Sequence, residues 1–91
     1  MVNKRVEIST DVLSQEVDGE TVLLDLNSEA YFGLDQVGTR IWQLLQEVGE
    51  LPAVYDIMLD EYDVDGEKLK EDLDALITDL DEAGLISVSE A

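Results

Sequence analysis

The dipeptide Asp18-Gly19 constrains the fold of this 91-residue chain more than any other local feature, because it stands between two apolar runs, 13–17 and 21–26. Aspartate followed by glycine accepts the positive φ angles of a two-residue turn between antiparallel strands. The two runs are therefore predicted to form a β-hairpin.

A third predicted strand, 30–34, follows the polar turn 27–29 and ends at Asp35, which is a good helix N-cap. This order makes 21–26 the central strand and places 30–34 at an edge of the sheet. Backbone N–H and C=O groups at such an edge are unpaired unless something covers them. The third strand is therefore a candidate surface for pairing with another chain.

Several residues of this region are candidates for binding. Alternation directs Tyr31 to the sheet face opposite Phe32 and Leu34, away from a core that those two would line. Gly33 has no side chain, which in a strand interior often marks the close approach of another backbone. Phe32 and Trp42 are also candidate binding aromatics, although their spacing fits the core and favours packing over binding.

Apolar residues recur at helical spacing in three later segments, which predicts helices over 36–48, 52–62 and 66–83. The predicted boundary residues are Asp35 and Gly49 for the first helix, Pro52 for the second, and Asp65 and Gly84 for the third. The predicted apolar stripes are Val37, Ile41, Leu44, Leu45 and Val48 in the first, Val54, Ile57, Met58 and Tyr62 in the second, and Leu69, Leu73, Leu76, Ile77 and Leu80 in the third.

The order of elements predicts a single α+β domain over 1–91 with its core in about 6–87. The architecture is winged-helix-like, a three-stranded antiparallel sheet followed by three helices. Two further segments have open alternatives. Residues 2–8 form an extra edge strand or an extended arm, and residues 85–88 pack under the sheet or add a short strand.

The charge of the chain restricts its partners. With 23 acidic and 5 basic residues, the formal net charge is -18. Nucleic acid is excluded as a partner because neutralising phosphates requires clustered Lys or Arg, and an anionic membrane surface is disfavoured for the same reason. The carboxylates are explained either as a solvated surface or as a field that steers a partner.

The chain contains no cysteine and no histidine. Thiol nucleophiles, disulfides, histidine acid–base chemistry and ordinary zinc sites are therefore absent, and no acidic pair stands out as a catalytic dyad. We expect no enzymatic activity, no catalytic residues, no metal and no cofactor. The N-terminus lacks the apolar segment of a signal peptide, and no run reaches membrane-spanning length, so a cytoplasmic location is expected.

Residues 61–72 resemble an EF-hand calcium loop in their order of oxygen ligands around a central glycine. The fit is imperfect, because Glu61 begins the loop, Asp72 ends it, and Lys68 stands where an apolar residue is usual. A polar turn in which Asp65 caps the third helix explains the same residues. A small acidic calcium-binding helix-loop-helix protein is therefore the alternative function, and an inert acidic scaffold is a third.

Three stretches together resemble the PqqD-like family. They read GETVLLDL at 19–26, YFGLDQVGTRIWQLL at 31–45 and DLxxLIxxLxxxGL at 72–85. The similarity covers about 6–87, and the order and spacing of the stretches are more specific than any one of them. The chain departs from the family in its high acidity and at Leu51, where a Ser or Thr cap commonly precedes the second helix.

The resemblance implies a recognition element for ribosomally made, post-translationally modified peptides (a RiPP recognition element). Such a protein binds the leader segment of the precursor peptide as an added strand beside the third strand. The third helix forms the other wall. It further implies presentation of the precursor to a separate enzyme, either a cysteine-protease-like leader peptidase of a lasso-peptide pathway or a radical-SAM enzyme. The peptide-binding positions that it implies are Ala30, Tyr31, Phe32, Gly33, Leu34, Leu69, Asp72, Leu73 and Leu76.

The calcium alternative predicts a measurable site, and we expect none. Because Asp72 reaches less well than a glutamate for bidentate ligation and Lys68 lies within the loop, saturable calcium binding should be absent below about millimolar concentration. Isothermal titration calorimetry tests this. A micromolar site that disappears in Asp63→Ala would establish the calcium protein instead.

Overall fold

The computed structural model describes residues 4–90. The elements in chain order are β1 (Lys4–Ile8), β2 (Val12–Val17), β3 (Glu20–Asp25), β4 (Tyr31–Leu34), α1 (Gln36–Glu47), α2 (Leu51–Glu61), α3 (Gly66–Glu82) and β5 (Ile86–Glu90). A three-stranded antiparallel sheet has the order β2-β3-β4, and β1 pairs with β5 in a separate two-stranded sheet. The predicted α+β, winged-helix-like fold is confirmed, with β4 as its third strand and a small second sheet added.

The β2–β3 hairpin turns at Asp18 and Gly19, whose φ angles are 54° and 81°. Val17 pairs with Glu20 across this two-residue turn. Two successive positive φ angles match the right-handed twist of the flanking strands. The predicted hairpin is confirmed, and it makes β3 the central strand.

Asp25, at the end of β3, organises the turn that leads into β4. Its carboxylate is buried and accepts hydrogen bonds from the backbone N–H of Asn27 at 3.1 Å and from the hydroxyl of Ser28 at 2.9 Å. Its backbone C=O accepts from the N–H of Glu29 at 2.7 Å, and Glu29 has a φ of 60°. These bonds determine where the edge strand β4 begins.

The core is centred on α1, which packs against β1, β3, β4 and α2. Leu44, Met58 and Leu73, one from each helix, are at most 1% exposed. Val37 and Val48, predicted in the buried stripe of α1, are instead 41% and 38% exposed. They lie at the two ends of the helix, beyond the elements that cover its middle.

The helix boundaries lie within one residue of those predicted. Asp35 accepts a hydrogen bond from the N–H of Gly38 at 2.8 Å, and Asp65 accepts from the N–H of Glu67 at 3.1 Å, so both predicted caps are confirmed. The glycines that follow α1 and α3 have φ angles of 76° and 78°. Among residues 4–90, no helix is both long and apolar enough to cross a membrane.

Helix α2 begins one residue earlier than predicted, at Leu51, with Pro52 following. The cap position is Glu50, whose side chain makes no capping hydrogen bond. Leu51 is 1% exposed and belongs to the core. At the position where the family commonly has a Ser or Thr cap, this chain therefore contributes apolar burial, and α2 lacks a side-chain capping bond.

The two terminal strands pair with each other. Val6 of β1 lies opposite Val88 of β5, and both Val6 and Ile86 are buried. For 85–88 the strand alternative is confirmed. For 2–8, the described part forms a strand that pairs with β5 and not with an edge of the three-stranded sheet, while residues 2 and 3 lie outside the described residues.

Replacement of Asp25 tests its role in the turn. Asp25→Ala removes a buried acceptor of two hydrogen bonds and should lower the free energy of unfolding by about 1–3 kcal/mol in urea denaturation. The matched control is Asp11→Ala, since the exposed carboxylate of Asp11 accepts from the side chain of Asn27 at 2.9 Å. The control should change stability by at most about 0.5 kcal/mol. Equal losses in both variants would contradict the organising role.

Candidate functional site

Strand β4 has a hydrogen-bonding partner on one side only. It pairs with β3 from Thr21↔Leu34 to Leu24↔Tyr31. On its other side, the part of the chain that the structure describes supplies no strand. The backbone groups that point to this side have no partner in a ladder, so β4 is the predicted open edge.

The phase of the β3–β4 ladder determines which groups point to the open side. The C=O of Ala30, just before β4, accepts a hydrogen bond from the last N–H of β3 at 2.9 Å. Antiparallel pairs alternate between hydrogen-bonded and non-hydrogen-bonded, so Phe32 and Leu34 direct their N–H and C=O toward β3. Tyr31 and Gly33 therefore direct theirs toward the open side.

A groove of about 600 Å³ lies beside this edge. Its lining residues come from β4, from the start of α1 and from the middle of α3: Phe32, Gly33, Leu34, Asp35, Val37, Gly38, Ile41, Asp72 and Leu76. Leu34 and Ile41 are 5% and 2% exposed, which makes the deepest part of the groove apolar. The carboxylate residues Asp35 and Asp72 are exposed and supply negative charge at its rim.

The groove brings together part of the set that the family resemblance implies. Phe32, Gly33, Leu34, Asp72 and Leu76 all line it. An apolar surface next to an unpaired strand edge is suited to an extended peptide, because backbone pairing and side-chain burial are then available together.

The remaining implied residues lie elsewhere. Leu69 and Leu73 of α3 are 5% and 0% exposed, and they pack in the hydrophobic core. Ala30 is exposed and precedes β4. Tyr31 is 73% exposed, and alternation places its side chain on the sheet face opposite Phe32.

The sequence interpretation missed the contribution of α1 to the groove. It assigned Val37 to a buried stripe and Asp35 to capping alone, yet both line the groove. Gly38 allows the close approach of β4 and α1, since a Cβ there would lie 3.3 Å from the side chain of Leu34 and from Asp35 Oδ1. A glycine in the first turn of a helix, unfavourable for the helix itself, was the available signal.

The rim carboxylates differ in their partners. Asp35 Oδ1 accepts the capping hydrogen bond within α1. Asp72 Oδ1 lies 3.2 Å from Lys68 Nζ, and the two side chains are 57% and 68% exposed. Exposed ion pairs of this kind contribute little, so Asp72 remains able to accept a hydrogen bond from a ligand.

Glu61 and Asp65 of the EF-hand-like loop have structural roles. Arg40 binds Glu61 through two hydrogen bonds, Nε to Oε1 at 2.8 Å and Nη2 to Oε2 at 2.6 Å, which hold the pKa of the Glu61 carboxyl below its ordinary value. Asp65 caps α3. Over residues 4–90, no three His, Cys, Asp or Glu side chains are grouped to hold a metal ion. The geometry therefore gives no support to the calcium alternative.

Comparison with known families identifies the class of protein. The family described as coenzyme PQQ synthesis protein D (PqqD) matches residues 20–86, which include β4, the groove and all three helices. The chain belongs to this family, and the resemblance seen in the sequence is confirmed. No curated protein sequence matches the chain.

Two solved structures are similar to this one. TbiB1 in complex with the TbiA(beta) leader peptide has 40% sequence identity and a TM-score of 0.84, with 89% of this chain and 94% of that chain covered. A lasso peptide synthetase B1 complexed with the leader peptide has 26% identity and a TM-score of 0.81, with 91% and 98% covered. Both similar proteins were solved with a leader peptide.

Substitutions on α3 should distinguish a core residue from a groove residue by their effect on the free energy of unfolding. Leu73→Ala should lower the free energy of unfolding by about 2–5 kcal/mol because it leaves a cavity at a fully buried position. Leu76→Ala, at the partly exposed groove, should lower it by only about 1 kcal/mol, since it removes less buried surface. Urea denaturation of the two variants measures the difference. Equal losses would contradict the assignment of Leu73 to the core and Leu76 to the groove.

Proposed function

We propose that this protein is a RiPP recognition element, which binds the leader segment of a ribosomally synthesised precursor peptide and presents it to a separate enzyme. The leader adds a strand to β4 and places apolar side chains in the groove between β4 and α3. The observation that carries this proposal is the unpaired edge of β4 directly beside an apolar groove. The leader peptides bound by the two similar proteins support it.

Backbone pairing alone is insufficient for this binding. Tyr31 and Gly33 offer two N–H and two C=O groups on the open side, and each net hydrogen bond contributes about 1 kcal/mol. Ordering a flexible segment on binding costs roughly 2–5 kcal/mol or more. Apolar leader side chains must therefore be buried against Leu34, Ile41 and Leu76, and these contacts supply the affinity that pairing does not.

The other exposed edge of the sheet is a poorer site. Five of the six residues of β2 are exposed, so the described residues offer little burial along that strand. A leader paired there would leave its apolar side chains in water. The edge of β4, where α1 and α3 lie alongside, offers burial and pairing to the same peptide.

The acidic rim bears on the chemistry of the leader. Asp72 stands at the groove on α3, where its carboxylate can accept a hydrogen bond from a leader donor. The net charge of -18 would accelerate association with a basic leader, an effect that weakens as salt shortens the Debye length to about 8–10 Å.

We assign the chemistry to a partner and not to this chain, which has neither cysteine nor histidine. The partner is a cysteine-protease-like leader peptidase or a radical-SAM enzyme. The similarity to a lasso peptide synthetase B1 favours the peptidase of a lasso-peptide pathway.

An N-methyl scan of the leader tests strand addition. In a strand, alternate residues direct their N–H groups to the same neighbour, so methylation should weaken binding at every second residue of the contact segment. The peptides are singly methylated forms of the TbiA(beta) leader, the peptide in the complex of the similar protein TbiB1. Dissociation constants follow from fluorescence anisotropy.

The scan carries its own control, because residues methylated outside the contact segment should bind as the unmodified leader does. A helix docked in the groove would give no period of two, and side-chain substitutions would then repeat near 3.6 residues. A flat or helically phased scan would rule out strand addition.

A further inference from the structure

Gly33 occupies a position where the fold does not require glycine. It lies inside the four-residue strand β4, and glycine weakens a strand because it has no side chain to pack. A Cβ built at Gly33 meets no heavy atom of the described chain within 4 Å beyond its own neighbours, and its φ is not positive. The other five glycines each have a positive φ or a Cβ contact of at most 3.3 Å.

Pairing with an added strand does not explain this glycine either. A new strand lies in the plane of the sheet about 4.8 Å away, and any residue except proline accepts it. A side chain at position 33 would instead point perpendicular to the sheet, on the face opposite Leu34. The space that glycine leaves free is therefore above the sheet, over the open edge.

The surroundings of this space are apolar and exposed. Gly33 lies directly opposite Val22 of β3, which is 43% exposed, and two residues from Tyr31, which is 73% exposed. Leu24 and Leu13 continue the row of Tyr31 across the sheet, since Leu24 pairs with both. A residue placed over Gly33 thus contacts hydrocarbon and an aromatic ring.

We infer that Gly33 is a specificity-determining residue, which selects a large apolar side chain, aromatic or long aliphatic, at the leader position paired opposite it. Directly paired residues project to the same face of a sheet, and a large side chain reaches across the strand spacing to cover a glycine. That leader side chain lies over Gly33 between Tyr31 and Val22. The inference rests on the proposed binding of a leader at β4.

A selection experiment tests this inference. A library of the TbiA(beta) leader, with one position randomised at a time, is selected by display on the wild-type protein and on Gly33→Val. The wild-type protein should enrich large apolar residues at one position. Gly33→Val should shift that position toward small residues and leave the others unchanged. Its affinity for the enriched leader should fall roughly tenfold, because the added branched side chain occupies the same space.

Stability distinguishes this effect from misfolding. Gly33→Ala and Gly33→Val should raise or maintain the melting temperature, because strand propensity increases, while leader affinity falls. The matched control is Gln15→Val. Gln15 pairs with Val22, which pairs with Gly33, so it lies in the same cross-strand row but two strands from the open edge. It should leave the selected profile and the affinity unchanged.

The outcomes separate this inference from the proposed function. No enrichment of any leader on the wild-type protein contradicts the proposed function itself. Enrichment with identical profiles on the wild-type protein and on Gly33→Val overturns only the role of Gly33. Unchanged leader affinity of Gly33→Val, combined with loss of leader processing by the partner enzyme, also overturns it. The space over Gly33 would then be a contact surface for that enzyme.

Discussion

The direct passage of the chain from β4 into α1 is the constraint on which the rest of the molecule depends. Leu34 is buried at the end of β4, and the next residue, Asp35, caps α1 through the N–H of Gly38. No linker separates strand from helix, so the edge strand cannot shift relative to the core. A short strand paired on one side would otherwise fray. The bonds of Asp25 hold its other end.

This arrangement reconciles two demands that usually conflict. A surface for strand addition needs backbone groups that have no partner, and an ordered backbone normally needs partners. Here β4 is ordered by side-chain burial, by a helix cap and by β3, so the open groups of Tyr31 and Gly33 are already in extended geometry. Preorganisation of one partner confines the entropic cost of association mainly to the flexible peptide.

The sequence was informative wherever the chemistry is local. Asp18-Gly19 dictates its own turn, and helix caps and terminating glycines locate α1 and α3 within a residue. The sequence was uninformative where contacts between distant segments determine burial and strand pairing. Helical spacing predicts the same buried position for Leu73 and Leu76. Only the position of β4 places Leu73 in the core and Leu76 at the groove. The pairing of β1 with β5 joins segments from opposite ends of the chain, and no local pattern encodes it.

The pairing of β1 with β5 brings the two ends of the described chain together, which allows the domain to be joined to other polypeptides. Lys4 lies opposite Glu90, so the polypeptide enters along β1 and leaves along β5 side by side, on a ribbon that packs against the helices. A longer polypeptide joined at either strand, or at both, would interrupt neither the three-stranded sheet nor the groove. Domains whose ends lie together tolerate fusion and insertion. The same binding edge is thus compatible with a free-standing protein and with one module of a larger assembly, the two differing in linkers and not in fold.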